Sequence, residues 1–179
     1  EENTVKVIKA KTAGFCFGVK RAVDTVYKQV DTKCGQIYTY GPIIHNEEVI
    51  KDMRDKGVIV LRSEEDLDMI SQGTVIIRSH GVEKRIYEKI EQKGLRIVDA
   101  TCPFVKKIHN IVSEKSGEGF HIIIIGNPEH PEVVGIKGWA KDNVTVIQSA
   151  EDAECFTADR KEKICIVSQT TFNYNKFKD

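Results

Sequence analysis

The chain has 179 residues, enough for one ordinary domain or two small ones. With 40% hydrophobic and 30% charged residues, it has the composition of a folded protein and not that of a disordered or collagen-like chain. The 27 Lys and Arg residues balance the 27 Asp and Glu residues, so no summed charge would attract nucleic acid or an anionic membrane surface. Any anion site must therefore be local.

The apolar segments and the cysteines indicate the cellular compartment in which the protein is expected to function. No apolar run reaches the roughly 20 residues that a transmembrane helix needs, and the N-terminus lacks the apolar stretch of a signal peptide. The five cysteines are an odd number and lack the tight spacing of a secreted disulfide scaffold. We therefore expect free thiols or metal ligands, a cytoplasmic location, and no membrane or nucleic-acid partner.

Short β-branched runs alternate with amphipathic, charge-rich stretches along the chain. This pattern predicts an α/β fold of mainly parallel sheets with flanking helices. Ser63 and Ser149 each precede an acidic stretch with Asp at the third following position, which predicts that a helix begins after each serine. The predicted strands are residues 5–10, 36–40, 58–61, 74–78, 96–100, 121–126, 144–147 and 163–167.

Six of the predicted strands run into segments that contain Cys, His, Glu, amide or hydroxyl side chains. In open parallel sheets, ligands bind beyond the carboxyl ends of the strands, where loops and helix N-termini converge. Polar residues at six such ends therefore predict one shared site. These residues are Cys16, His45, Ser79, His80, Cys102, His130, Glu132, Ser168, Gln169, Thr170 and Thr171.

The chain contains an internal repeat. The segments CFGVKRAVDTV from Cys16 and CPFVKKIHNIV from Cys102 align in register, with the two cysteines 86 positions apart. The repeat predicts one α/β module at residues 14–101 and a second at residues 102–179, with an N-terminal strand segment at residues 1–13 outside both. One further period would place a third cysteine beyond the last residue. We therefore expect a third module that is absent from this chain; a duplication into only two modules is the alternative.

The cysteines allow two interpretations. Cys16 and Cys102 lie too far apart in sequence for a local zinc motif, but each precedes a predicted helix, whose dipole favours a thiolate and hence metal ligation. Structural burial is the alternative. Three such thiolates would suit an iron–sulfur cluster and leave one iron without a protein ligand. We interpret Cys34, Cys155 and Cys165 as structural or incidental.

Three of the five histidines are candidates for binding an anion. His45, His80 and His130 each follow a predicted strand and have Gly or Pro nearby, a setting in which the backbone approaches a ligand. Imidazolium and backbone N–H groups would bind phosphate oxygens in a chain without net charge. His109 lies in a helical stretch and His121 begins a strand, so we interpret both as surface or satisfied polar residues outside the site.

Glu132 and the adjacent threonines each have two interpretations. Glu132 is either a proton donor, with a pKa raised by burial or by a neighbouring anion, or a carboxylate that stabilises a helix N-terminus. Thr170 and Thr171 are either hydroxyl donors to a substrate or helix caps. Trp139 is expected to pack in the core. The sequence has no P-loop and no GxGxxG motif, so nucleotide binding by those routes is unsupported.

Six separated motifs make the whole chain similar to the hydroxymethylbutenyl diphosphate reductases, the IspH or LytB family. The resemblance implies three similar α/β modules around a central [4Fe-4S] cluster. It also implies the last step of the methylerythritol phosphate route to isoprenoids, the reductive dehydroxylation of 4-hydroxy-3-methylbut-2-enyl diphosphate to isopentenyl and dimethylallyl diphosphate. The motifs are AGFCFGVKRAVD, GPIIHNEEVI, IRSHGV, DATCPFVKK, GNPEHPEVVGIKGWA and VSQTTF.

The resemblance further implies residue roles and partners. Ferredoxin or flavodoxin would donate electrons, and the third cluster cysteine would lie in the absent third module. The competing hypothesis is a non-redox diphosphate-binding module with reduced or zinc-bound cysteines. The implied roles are cluster ligation by Cys16 and Cys102, substrate binding by His45, His80, His130 and Thr170, and catalysis by Glu132 as proton donor with Thr170 and His130.

Overall fold

A computed structural model describes residues 5–32, 35–159 and 161–178 of the protein. Within these ranges, helices and strands alternate along the chain. The helices are α1 (Phe17–Thr32), α2 (Glu47–Asp55), α3 (Glu64–Asp68), α4 (Lys84–Gln92), α5 (Pro103–Gly117), α6 (Pro131–Lys137), α7 (Ala150–Cys155) and α8 (Tyr174–Lys178). The strands are β1 (Ile37–Tyr40), β2 (Ile59–Leu61), β3 (Thr74–Ile77), β4 (Arg96–Asp99), β5 (His121–Ile125), β6 (Val144–Ile147) and β7 (Ile164–Ser168).

The strands form two parallel sheets. The first sheet has the order β2-β1-β3-β4, and the second has the order β6-β5-β7. In the first, Tyr40 at the end of β1 lies opposite Ile77 at the end of β3. In the second, Ile125 at the end of β5 lies opposite Ser168 at the end of β7. Two parallel sheets with flanking helices confirm the predicted α/β class.

Helices cover both faces of the first sheet. On one face, Ala22 and Val26 of α1 pack with Ile76 of β3. On the other face, Ile77 of β3 packs with Ile86 of α4. All four residues of β3 are buried, as expected for a central strand covered on both sides. The second sheet has its own core, formed by residues that include Val112, Ile122, Ile124, Val133 and Ile136.

The two predicted serine caps are present. The Ser63 hydroxyl accepts a hydrogen bond from the backbone N–H of Asp66 at 3.4 Å, at the start of α3. Ser149 and Asp152 form a complete capping box at the start of α7. Both helix starts are therefore confirmed. They occupy corresponding places in the two sheets, since α3 follows β2 and α7 follows β6.

The strand predicted at residues 5–10 does not form. These residues belong to neither sheet, and Val5 and Val7 are 87% and 88% exposed. A strand is stable only with a hydrogen-bonding neighbour, and the described residues supply none to this segment. The prediction failed because alternating apolar residues indicate a preference for extended backbone but not the presence of a partner. Every other predicted strand forms within one residue of its expected ends.

The two sheets share one connection pattern. In the first sheet, α1 leads into β1, and the chain then crosses to β2 on one side of β1 and returns to β3 on the other. In the second sheet, α5 leads into β5, and the chain crosses to β6 and returns to β7 in the same way. β4 has no counterpart among the described strands of the second sheet. The module boundary between residues 101 and 102 stays a prediction. No helix in the described part of the chain is both long and apolar enough to cross a bilayer.

Candidate active site

Three histidines lie side by side at the carboxyl ends of the strands. The ring centroids of His45 and His80 are 4.9 Å apart, and those of His80 and His130 are 5.5 Å apart. His45 is exposed, whereas His80 and His130 are half-buried. Residues from the loops after β1, β3 and β5 therefore form one row of imidazoles, as the positions of the predicted strand ends suggested.

Local structure orients the outer two rings of this row. The side chain of Asn46 caps α2 by accepting from the backbone N–H of Val49 at 3.0 Å, which places His45 directly before the helix. His130 is itself the N-cap of α6, and its Nδ1 accepts from the backbone N–H of Glu132 at 3.1 Å. Because Nδ1 accepts, neutral His130 carries its proton on Nε2 and keeps that N–H free to donate.

The middle ring is supported by backbone contacts between neighbouring strand ends. The Ser79 hydroxyl donates to the carbonyl oxygen of Ile43 at 3.1 Å, which ties together the loops that carry His45 and His80. The backbone N–H of Cys102 donates to the carbonyl oxygen of Ser79 at 2.9 Å. Ser79 is thus a buried connector between strand ends.

Burial and nearby positive charge keep the middle ring of the row neutral. Burial is the largest cause that lowers the pKa of His80 to about 4, and positive charge on His45, Arg78 and His130 lowers it further. The middle ring is therefore neutral at neutral pH and binds as a hydrogen-bond donor or acceptor. An anion placed among the rings would raise this pKa, because it favours the imidazolium form.

Glu132 and Thr170 form a pair beside His130. The carboxyl group of Glu132 is buried, and its two oxygens accept from the backbone N–H of Thr170 at 2.6 Å and from the Thr170 hydroxyl at 2.8 Å. Thr170 itself is exposed. Since a hydroxyl both donates and accepts, it can pass a proton between the buried carboxyl and a molecule at the surface.

The neighbouring residues hold the loop after β7. The side-chain Oε1 of Gln169 accepts from the backbone N–H of Asn127 at 3.2 Å, and its Nε2 donates to the Thr171 hydroxyl at 2.8 Å. Thr171 therefore contacts Gln169, while Thr170 contacts Glu132. The two threonines, which the local sequence pattern did not distinguish and of which the family resemblance singled out Thr170, thus have different hydrogen-bond partners. Ser168 ends β7 and makes no side-chain hydrogen bond among the described residues.

Cys16 and Cys102 occupy corresponding helix starts. Cys16 directly precedes α1 and is exposed, and Cys102 is the N-cap residue of α5 and is half-buried. A Cβ atom added to Gly18 would lie 2.6 Å from Sγ of Cys102, so the first turn of α1 lies against that thiol. Arg21 of α1 fixes this contact by donating to the carbonyl oxygen of Thr101 at 2.9 Å.

The two thiols fit part of a metal-cluster ligand set. Both are free and lie at helix N-termini, and cysteine sulfur is a ligand that soft metals prefer. Within residues 5–32, 35–159 and 161–178, no group of three or more Cys, His, Asp or Glu side chains is arranged to hold a metal ion. The described residues therefore offer two cysteine side chains to a cluster and not a complete site.

The remaining cysteines and His121 follow their predicted roles as far as the structure describes them. Cys165 packs against the core of the second sheet, and burial raises the pKa of its thiol. Cys155 is exposed at the end of α7, and Cys34 lies outside the described residues. His121 is satisfied, because its Nδ1 and Nε2 atoms both lie 2.8 Å from oxygens, of Glu162 and Thr145 respectively.

His109 corrects the sequence interpretation. It is neither at the surface nor satisfied: it is 1% exposed, its Nε2 has no hydrogen-bond partner, and burial lowers its pKa to about 4. Its ring stacks on Trp139, with centroids 5.1 Å apart, and lies directly under Gly81, where an added Cβ would overlap it. Trp139 donates from Nε1 to the carbonyl oxygen of Val82 at 2.9 Å. The pair therefore supports the turn that carries His80.

No local pattern identifies this support in the sequence. The helical periodicity of α5 places His109 on an inward face, but it does not show that a turn from the other sheet lies there. The short helix α6 likewise gives no sign that Trp139 reaches across to Val82. The expected packing role of Trp139 is confirmed, and the hydrogen bond from Trp139 to the turn that carries His80 adds to that role.

Comparison with known proteins shows the relatives of this chain. The LytB protein family model matches residues 7–179. The 4-hydroxy-3-methylbut-2-enyl diphosphate reductase of Caldanaerobacter subterraneus subsp. tengcongensis is 46% identical over 98% of this chain and 60% of its own length. The reductase of the same name from Thermoanaerobacter sp. strain X514 is 48% identical, again over 98% of this chain and 60% of its own length. The chain thus spans about 60% of the length of these relatives.

Solved structures agree with the sequence relatives. The E-1-hydroxy-2-methyl-but-2-enyl-4-diphosphate reductase of Plasmodium falciparum superimposes with a TM-score of 0.87 at 31% identity, covering 94% of this chain and 52% of that one. A second structure, of (E)-4-hydroxy-3-methyl-but-2-enyl diphosphate reductase, the terminal enzyme of the non-mevalonate pathway, gives a TM-score of 0.80 at 39% identity, covering 98% and 62%. With the family model matched from residue 7 to residue 179, the chain belongs to the LytB family.

Proposed function

We propose that this chain is part of a reductase that removes the allylic hydroxyl of 4-hydroxy-3-methylbut-2-enyl diphosphate and yields isopentenyl and dimethylallyl diphosphate. Relatives at 46% and 48% identity carry the name of that activity. The observation that carries the proposal is the buried Glu132 carboxyl, bonded through both oxygens to exposed Thr170 and linked through its backbone to His130. This arrangement suits proton delivery next to an anion site.

The histidine row would bind the diphosphate. His130 offers Nε2–H, and His80 lies between the other two rings at 4.9 and 5.5 Å. A diphosphate on these rings would raise the pKa of His80 from about 4, so the ring would gain positive charge as the anion binds. Charge-assisted hydrogen bonds of this kind are stronger than neutral ones and would fix the orientation of the substrate.

Glu132 and Thr170 would deliver a proton to the reacting end. Because Glu132 is buried and Thr170 exposed, a substrate would meet the threonine hydroxyl first. With Glu132 protonated, Thr170 would donate its hydroxyl proton to the substrate hydroxyl and take up the Glu132 proton across the 2.8 Å that separates the two oxygens. Protonating a departing hydroxyl lets it leave as water, which is the contribution of a general acid.

The same proposal includes the cofactor and the partners. A bound [4Fe-4S] cluster would supply the electrons and a Lewis-acidic iron. Cys16 and Cys102 would hold it from the starts of α1 and α5, and we propose a third cysteine outside the 179 residues. Ferredoxin or flavodoxin as electron donor and a cytoplasmic location, which the free thiols favour, also belong to the proposal.

Iron content tests the cofactor. Iron and acid-labile sulfide would be measured after anaerobic reconstitution of this chain and of a version extended past residue 188. We expect about four iron atoms in the extended protein and few in this chain. If neither version holds iron, the reductase proposal fails and a non-redox diphosphate-binding module takes its place.

Activity tests the proton donor. Glu132→Gln keeps the shape of the side chain but removes the acid, so we expect about a hundredfold lower kcat in the reconstituted, extended protein. Glu129→Gln is the matched control, because Glu129 is exposed in the turn before α6. Product formation from the allylic diphosphate with a chemical reductant is the readout. An E132Q protein with the turnover of E129Q would contradict the assignment.

A further inference from the structure

A second feature at the carboxyl ends of the first sheet is a cleft that no histidine of the described chain lines. The order β2-β1-β3-β4 reverses direction between β1 and β3, and ligands of such sheets bind in the crevice at this point. Gly41 follows β1, and Arg78 follows β3. Gly41 has φ of +74°, and a Cβ there would lie 2.6 Å from Nη1 of Arg78, so the guanidinium lies directly over the Gly41 backbone.

A cleft of about 680 Å³ opens beside this guanidinium. Four cationic residues and two carboxylates line it, and no histidine of the described chain does. None of the four cations takes part in an ion pair within the described ranges. The cations are Lys51, Arg54, Arg62 and Arg78, and the carboxylates are Glu47 and Glu48.

Arg78 differs from the other three cations because it is half-buried. Burial lowers the pKa of its guanidinium. Its described side-chain hydrogen bond is a long one, from Nε to the carbonyl oxygen of Gly81 at 3.4 Å. A guanidinium has five N–H donors in a planar fork that matches phosphate and carboxylate oxygens. The Nη donors of Arg78 thus lie at the cleft, partly out of water and without a carboxylate partner.

The second sheet shows that the fold does not need this charge. Gln169 follows β7 as Arg78 follows β3, and Gly126 follows β5 as Gly41 follows β1. A Cβ on Gly126 would lie 2.9 Å from Cβ of Gln169, so the close approach is repeated. Gln169, however, is satisfied at both ends by Asn127 and Thr171. A neutral, internally bonded side chain is therefore sufficient at this position.

We propose that the cleft between α2 and Arg78 is a second anion site, which takes a phosphate or diphosphate group of a small molecule. The Arg78 fork would bind two oxygens of the group, and Arg54 and Arg62 would add long-range attraction. Glu47 and Glu48 lie in the first turn of α2, where carboxylates stabilise the helix N-terminus, and they leave the cations in excess. No histidine of the described chain lines this cleft, and the proposal does not depend on the reductase activity.

Titration with inorganic pyrophosphate, followed by amide and arginine Nε–H resonances in NMR spectra, tests this site. In the wild-type chain we expect saturable shifts at Gly41, Arg62 and Arg78 Nε–H that sodium chloride at matched ionic strength does not produce. Arg78→Gln installs the residue type of the second sheet and should weaken binding at least about tenfold. Arg96→Gln removes an exposed cation at the start of β4 and should leave binding unchanged.

Several outcomes would overturn the proposal. Shifts confined to His45, His80 and His130 would mean that only the histidine row binds pyrophosphate. Equal shifts with chloride, or equal affinity in R78Q and R96Q, would reduce the cleft to a solvated basic surface. If R78Q loses its dispersed spectrum, the double variant Arg54→Gln with Arg62→Gln decides instead. That variant keeps Arg78 and should bind several-fold more weakly; unchanged affinity in it would contradict the site.

Discussion

The two parallel sheets have the same strand order around β1 and β5 but differ in the side chains at their carboxyl ends. Gly41 and Arg78 end one pair of strands, and Gly126 and Gln169 end the corresponding pair. Packing requires the close approach in both places, whereas the approaching side chain is a cation in one and a satisfied amide in the other. The comparison teaches that the strands form a common frame and that the residues directly after them are free to differ in function.

The helix starts show the same contrast. In the first sheet Asn46 caps α2, so the neighbouring His45 ring is exposed and not used as a cap. In the second sheet His130 is itself the cap of α6, and this sets its tautomer. Glu132 of that helix then meets Thr170. Under the proposed function, the first sheet would therefore contribute His45 and His80 to the anion site, and the second would contribute His130 together with the Glu132–Thr170 pair.

The largest expected effect comes from disturbing the contact between Gly81, in the turn after β3, and His109 of α5. Gly81→Ala places a Cβ against the buried His109 ring at a positive φ of +71°. Overpacking and left-handed backbone strain together should lower the free energy of unfolding by about 2–4 kcal/mol, measured by urea denaturation. Gly94→Ala is the control, since Gly94 has φ of +68° with nothing within 4 Å of an added Cβ. An equal loss in both variants would show that strain alone matters.

The next effect concerns pH. Burial holds the pKa of His109 at about 4, below its usual 6.5, so the unfolded chain binds more protons between these values. The stability contributed by neutral His109 is therefore present above pH 6.5 and lost as the pH falls toward 4, by up to about 3 kcal/mol. His109→Leu removes this group and should flatten the dependence of urea unfolding on pH over that range. An unchanged slope would show that other groups govern acid sensitivity.

The two adjacent threonines sharpen the comparison within the second sheet. Thr170→Val removes the hydroxyl that donates to Glu132 and should lower the turnover of the reconstituted, extended enzyme by about a hundredfold. Thr171→Val removes an acceptor for Gln169 and should cost only a few-fold. Product formation at saturating substrate measures both. Equal losses would mean that the loop acts as a unit and that Thr170 has no separate role.

The smallest effect compares the two serine caps. Ser149→Ala removes half of a complete capping box, whereas Ser63→Ala removes one long hydrogen bond of 3.4 Å. We expect losses in the free energy of unfolding of about 1 kcal/mol for S149A and less for S63A. Thermal unfolding of the two variants measures the difference. A larger loss for S63A would show that hydrogen-bond length at these caps does not report their strength.

Much of the fold was predictable because its signals are local. Strand residues such as Ile76 and Ile124 lie in β-branched runs, and Ser149 with Asp152 is a capping signal within one helical turn. The prediction of a strand at residues 5–10 was wrong for the complementary reason. Its apolar alternation is local too, but a strand also needs a neighbour that no local pattern reveals.

The site was predictable as a set of residues but not as a geometry. His45, His80 and His130 were expected to lie together because the carboxyl ends of parallel strands share an edge. The support of His80 by His109 was not expected, since the two residues lie on different elements. That Arg78 has no carboxylate partner among the described residues was equally unpredictable, because a sequence shows a charge but not its partners.

The amino-acid sequence by itself determined the α/β class, the repeated arrangement and the residue types at the strand ends. These properties follow from periodicity, turn chemistry and spacing, which act over a few residues at a time. Only the tertiary structure decided which threonine meets Glu132, which ring lies under Gly81 and which arginines line an open cleft. Those contacts join distant segments, and they depend on how sheets and helices pack against one another.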